Sequence, residues 1–206
     1  MTKDPDLESA YALSSQDDTK RLYADWAKSY DSDFAAGQGY LLPRHVVDLF
    51  LEQGGRGPVL DVGAGTGLVG EGLAAAGIGP LDGLDLSAEM LEVARDKAIY
   101  RDLIAADVTQ PLTMSGYFGI VSAGTFTLGH VGPEGFPPLL AVAERGCLFV
   151  LSVNAIHFES AGFAAYLAEI ETRITDLMLR DVRIYSDCAD PSHRNDVARL
   201  ISFRTV

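Results

Sequence analysis

Val59-Leu60-Asp61-Val62-Gly63-Ala64-Gly65-Thr66-Gly67-Leu68 reads as a buried strand that runs into a glycine loop and opens a helix. Glycines there let backbone approach a ligand closely, with a helix N-terminus behind it. Two ligand classes use such a loop. Gly65, Gly67 and Gly70 fit the dinucleotide fingerprint, and Asp85 follows at the roughly 20-residue spacing of that fingerprint, so an NAD(P) site stays open on spacing alone. Asp61 weighs against it. A carboxylate in a buried strand needs a hydrogen-bonding or cationic partner, which the ammonium of a bound amino acid supplies and a pyrophosphate does not. No lysine follows the glycines, which excludes a phosphate P-loop.

Outward from the loop, short apolar runs alternate with helical stretches. Downstream come a helix over Gly67 to Ala76, a strand over Leu81 to Asp85 and a helix capped by Ser87 and carrying Met90, Leu91, Ala94 and Ala98. Further strands are expected at Leu103 to Ala106, Phe118 to Ala123 and Cys147 to Val153, the last a nearly continuous apolar run, as a buried parallel strand should be. Helices are expected over Pro133 to Arg145 and Ser160 to Ile174, and a terminal hairpin from Met178 to Tyr185 and Ala198 to Thr205. Upstream, Leu22, Tyr23, Trp26, Ala27 and Tyr30 recur at helical spacing, and a second helix begins near Pro43 and ends at Gly54 and Gly55. The expected organisation is one domain over 1–206, with an N-terminal helical cap over 1–55 and an α/β core over 56–206.

Sixteen Lys and Arg stand against 29 Asp and Glu, a net charge of −13 that repels polyanions and makes a nucleic-acid substrate improbable. Two cysteines, Cys147 and Cys188, suit neither a disulfide framework nor a metal site. No apolar stretch approaches membrane-spanning length and the start has no apolar core of a signal peptide, so cytoplasm is the expected compartment, with no membrane partner. The acidic segment with Asp187, Asp190, His193 and Asp196 has irregular spacing and reads as a solvated hairpin turn rather than a metal site.

The stretch Asp61 to Gly67 resembles the signature loop of class I S-adenosylmethionine-dependent methyltransferases, and Gly83-Leu84-Asp85-Leu86-Ser87-Ala88-Glu89-Met90-Leu91 is similar to their second-strand segment. Tyr23 to Asp31 and Gly124-Thr125-Phe126-Thr127-Leu128-Gly129-His130-Val131 resemble, more narrowly, the Williams-Beuren syndrome region methyltransferase-like proteins. The resemblance implies a doubly wound, Rossmann-like seven-stranded sheet of order 3-2-1-4-5-7-6, mostly parallel, with strand seven antiparallel. It also implies S-adenosylmethionine as cofactor and S-adenosylhomocysteine as product.

On that likeness, Asp85 accepts from the ribose hydroxyls, Leu86 and Met90 flank the adenine, and Asp107, beside Val108, takes the adenine amine. Asp61, Gly63, Ala64, Gly65 and Gly67 lie along the cofactor, and Ala123 and Gly124 line the place where donor meets acceptor. Each has a plainer alternative: turn residues for Asp85, Asp107 and Gly124, core packing for Leu86 and Met90. Trp26 and Tyr30 close over the cofactor or form the core stripe of their helix. His130, His157 and Tyr40 are the candidates for handling an acceptor, against structural roles for all three. The acceptor, a small molecule or protein, is not specified, and a cofactor-binding module without turnover stays an alternative.

Overall fold

The computed structural model describes residue 37 and residues 39–206. The expected helix over 20–34, with Trp26 and Tyr30, lies outside the described residues. Helix α1 (Leu42–Glu52) carries Pro43 in its first turn, where a missing N–H costs nothing, and turns Leu42, Val46, Leu49 and Phe50 inward. Strand β1 (Val59–Val62) is buried throughout and leads through the glycine loop into α2 (Leu68–Ala75). Then come β2 (Leu81–Asp85), α3 (Ala88–Asp96) and β3 (Asp102–Ala105). Ser87 caps α3, its hydroxyl accepting from the Met90 N–H at 3.2 Å.

Strands β4 (Tyr117–Phe126) and β5 (Ala143–Asn154) follow, then β6 (Ile174–Arg183) and β7 (Val197–Thr205). They form one seven-stranded sheet of order β3-β2-β1-β4-β5-β7-β6. Neighbours from β3 to β5 are parallel, and β7 runs antiparallel to both β5 and β6. The chain winds outward through β1, β2 and β3, then crosses back to β4, so strand order reverses between β1 and β4. Ligands of such sheets settle in the crevice beyond the strands' carboxyl ends at that reversal.

Strand alternation divides the core into two layers. Leu60, Val62, Ile120, Phe149 and Leu151 face α4 (Phe136–Val142) and α6 (Phe163–Glu169), while Val59, Val121, Leu148 and Val150 face α1 and α2. The Phe50 ring fills space that side chains on Gly55 and Gly119 would occupy, which pins α1 to the sheet.

Two expected helices are redrawn. The stretch over Pro133 to Arg145 is a short 3₁₀ turn (Pro133–Gly135) and α4, after which Ala143 already pairs with Tyr117 as strand. The stretch over Ser160 to Ile174 splits at Gly162, whose φ of 85° is left-handed and ends α5 (Ala155–Ser160) before α6 begins. Among the described residues no helix is long and apolar enough to cross a membrane.

Candidate functional site

A cavity opens beyond the carboxyl ends of β1, β2, β4 and β5, across the strand-order reversal. One half is built over β1, β2 and β3. Gly63, Ala64 and Gly65 of the loop, Asp85, Leu86 and Met90 line it, and Asp107 and Val108 close it beyond β3. Ala123 and Gly124 sit at the boundary, and Tyr40, Leu128, His130, Asn154 and Tyr185 wall the other half over β4 and β5. Sequence reasoning had singled out neither Asn154 nor Tyr185; they reach the cavity only because β5 and the end of β6 converge there, a long-range effect with no local signal.

The loop's amides are largely committed. Gly63 and Ala64 N–H both donate to the Leu84 carbonyl, at 2.7 and 3.0 Å, and Gly65 N–H donates to Asp85 Oδ2 at 2.8 Å. Gly67 N–H donates to the Ala64 carbonyl at 2.8 Å. Those four donors are therefore engaged within the protein rather than aimed at a pyrophosphate, as a dinucleotide site requires. Asp85 Oδ1 accepts from Ser87 N–H at 2.8 Å, so the carboxylate is fixed in orientation on the cavity wall and can only accept from a ligand's hydroxyls while ionised. Burial pushes its pKa above the ordinary carboxylate range, against the pull of the Ser87, Gly65 and Leu86 amides.

Gly65 has φ 55°, and a Cβ there would meet nothing nearer than the Gly63 carbonyl oxygen at 4.0 Å: the space a ligand would use is open. Gly67 and Gly70 serve another purpose. A Cβ on Gly70 would collide with the Tyr100 hydroxyl, and one on Gly67 would lie 3.1 Å from the Tyr100 ring. The spacing that mimics the dinucleotide fingerprint thus makes room for a tyrosine, and Gly67 stays off the cavity wall.

Tyr100 is there for Asp61. Alternation turns Asp61, only 1% exposed, to the α2 side of β1 with Val59 and not to the cavity wall. In place of the expected ammonium, the Tyr100 hydroxyl donates to Asp61 Oδ2 at 2.6 Å, and Oδ1 has no partner among the described residues. Burial raises the Asp61 carboxyl to about 7, opposed by the Tyr100 hydrogen bond.

At the boundary Ser152 Oγ accepts from Gly124 N–H at 3.0 Å, and Thr125 Oγ1 and Ser122 Oγ both donate to the Val62 carbonyl, which locks β4 against β1 and β5. Gly124 sits at φ 85° with the Tyr40 hydroxyl standing where its Cβ would be. Asp107 Oδ1 accepts from the Thr109 N–H and hydroxyl, at 2.9 and 2.8 Å, which turns the chain after β3. Of the two histidine candidates, His130 lines the cavity and His157 does not. His157 Nε2–H donates to the Val131 carbonyl at 2.9 Å, and the ring packs edge-on against Phe163. Burial and the neighbouring His157 push His130 down to about 4, so its imidazole is uncharged at neutral pH and a weak base. In the segment after β6, Asp187 pairs with Arg183, His193 with Asp196, and Asp190 accepts from Ser192, so its carboxylates are spent on the turn.

Residues 59–147 match the family model described as a methyltransferase domain. Over 141 residues the chain is 35% identical to human methyltransferase-like protein 27; the match takes in 65% of this chain and 56% of that protein's length. The fold is similar to a TehB-like S-adenosylmethionine-dependent methyltransferase from Corynebacterium glutamicum, at TM-score 0.63 and 22% identity over 90% of this chain and 99% of that one. It is also similar to the N-methyltransferase NodS from Bradyrhizobium japonicum, at TM-score 0.59 and 17% identity over 79% and 93%. Residues 59–147 thus match a methyltransferase domain set on this sheet order, and the chain is similar in sequence and fold to S-adenosylmethionine-dependent methyltransferases.

Proposed function

We propose that this protein transfers a methyl group from S-adenosylmethionine to a nitrogen, oxygen or sulfur atom of a small-molecule or protein acceptor. One observation carries it: Asp85 stands fixed on the cavity wall at the carboxyl end of β2, while the loop amides that a pyrophosphate needs donate to Leu84 and Asp85. The residues present fit the cofactor. Open space at Gly65 accommodates its amino-acid end, Asp85 the ribose, Leu86, Met90 and Val108 the adenine faces, and Asp107 the adenine amine. S-Adenosylmethionine supplies a methyl carbon already activated on a sulfonium, so the acceptor's lone pair forms the new bond as the C–S pair returns to sulfur.

The protein's part is alignment and exclusion of water. The rigid junction of Gly124, Ser152 and Thr125 sets the floor between the two halves of the cavity. His130, a weak base, does not drive deprotonation, which favours acceptors that carry a free lone pair at neutral pH. The two cysteines are unpaired, Cys147 buried and Cys188 exposed, in keeping with the reducing cytoplasm we assign to it.

Calorimetric titration with S-adenosylmethionine, S-adenosylhomocysteine and NADH tests the cofactor. Binding of the first two and not the third is the expected result. Binding of NADH alone would replace the methyltransferase by an oxidoreductase.

A further inference from the structure

The half of the cavity over β4 and β5 has an unusual chemical makeup. Leu42, Pro43, Leu128, Val131 and Ile184 supply apolar wall, and the Tyr40 and Tyr185 rings stand 5.9 Å apart, tilted by 41°. Among the described residues no lysine or arginine lines any part of the cavity, and its two carboxylates, Asp85 and Asp107, belong to the other half. Among the described residues an anionic acceptor would therefore be desolvated with no cation to meet it, and a cationic one with no carboxylate beside it. Both are costly.

Asn154 adds the polar handle. It lies at the end of β5, lines the cavity and is 9% exposed. Its Oδ1 accepts from the Ile156 and His157 N–H groups, at 3.0 and 3.2 Å, which fixes the orientation of the amide. The Nδ2 group has no hydrogen bond among the described residues, so two N–H donors remain for an occupant of the cavity. A ligand that left them dry would forfeit their hydration.

We propose that this half of the cavity takes an uncharged, ring-bearing methyl acceptor whose carbonyl or comparable lone-pair atom accepts from the Asn154 amide, with the ring against Tyr40 and Tyr185. The proposal rests on the methyl-transfer reading and narrows its acceptor class, disfavouring phosphorylated and carboxylated acceptors.

The test uses the full chain saturated with S-adenosylhomocysteine, titrated with three probes that share one ring and one amino group: 4-aminobenzamide, 4-aminobenzoate and 4-aminophenyl phosphate. The amide is expected to bind at least about tenfold more tightly than either anion. Asn154→Asp should weaken binding of the amide by about tenfold, since it deletes the donors. Its melting temperature should hold, because Asp caps α5 as well as Asn does. Equal or tighter binding of an anion, no binding of the amide, or an undiminished amide affinity in Asn154→Asp overturns the proposal. Failure of S-adenosylhomocysteine itself to bind is a separate result, seen in the first titration, and overturns the methyl-transfer reading together with everything built on it.

Discussion

Asp85 and Gly65 meet through one hydrogen bond, and each has its own signature on removal. Asp85→Ala is expected to weaken S-adenosylhomocysteine binding by about 1–3 kcal/mol, since charge-assisted bonds to the ligand are lost while the fold stays intact. Calorimetry of the variant checks it, and an unchanged affinity would remove Asp85 from the site. Gly65→Val puts a branched side chain into the open space beside the loop and should abolish detectable binding, with circular dichroism confirming that the variant is folded. Asp61 makes a different prediction. Its pKa rises from the ordinary 3.8 to about 7 on folding, so the folded state keeps a proton that the unfolded state releases. Its contribution to stability is full below about pH 4 and is lost as pH rises towards 7. Urea unfolding between pH 5 and 8 should show stability falling through that window in the parent and a flatter profile in Asp61→Asn.

Among the elements, α1 depends on one side chain more than any other. Phe50→Ala empties a fully buried site between Gly55 and Gly119 and should cost about 3–5 kcal/mol, read from denaturant unfolding. The strands of the sheet were legible because strands buried on both faces are mostly apolar, as Val59 to Val62 and Cys147 to Val153 are apart from Asp61 and Ser152. The start of β5 was not. Ala143, Glu144 and Arg145 are polar enough to extend a helix, and only pairing of Ala143 with Tyr117 makes them strand. The lining of the cavity was legible on the same terms. Gly63 to Gly65 and Asp85 are local consecutive signals, whereas Tyr100 finds Asp61 only through the parallel register that sets β3 beyond β2. Gly67 and Gly70 fitted two motifs, and a partner distant in sequence decided between their meanings.

Over the whole molecule, the net charge of −13 opposes any polyanionic substrate. Gel-shift titration with a structured RNA at physiological salt is expected to show no complex; a tight complex would move the acceptor class to nucleic acid. The sheet's open edge at β6 is guarded by charge, with Arg180 paired to Glu52 and Asp181 to Arg199, and by a register shift between Thr175 and Met178 that breaks the ladder. Such an edge resists pairing with a second copy. The position of β7 between β5 and β6 has a temporal side as well. During synthesis β6 leaves the ribosome before the strand that joins it to the sheet, so it has no neighbour until Val197–Thr205 has emerged. Ile184 and Tyr185, just after β6, are then the last pieces of the described cavity wall to settle. A nascent chain can assemble the half of the cavity over β1, β2 and β3 first and stay without a finished second half until its translation is nearly done.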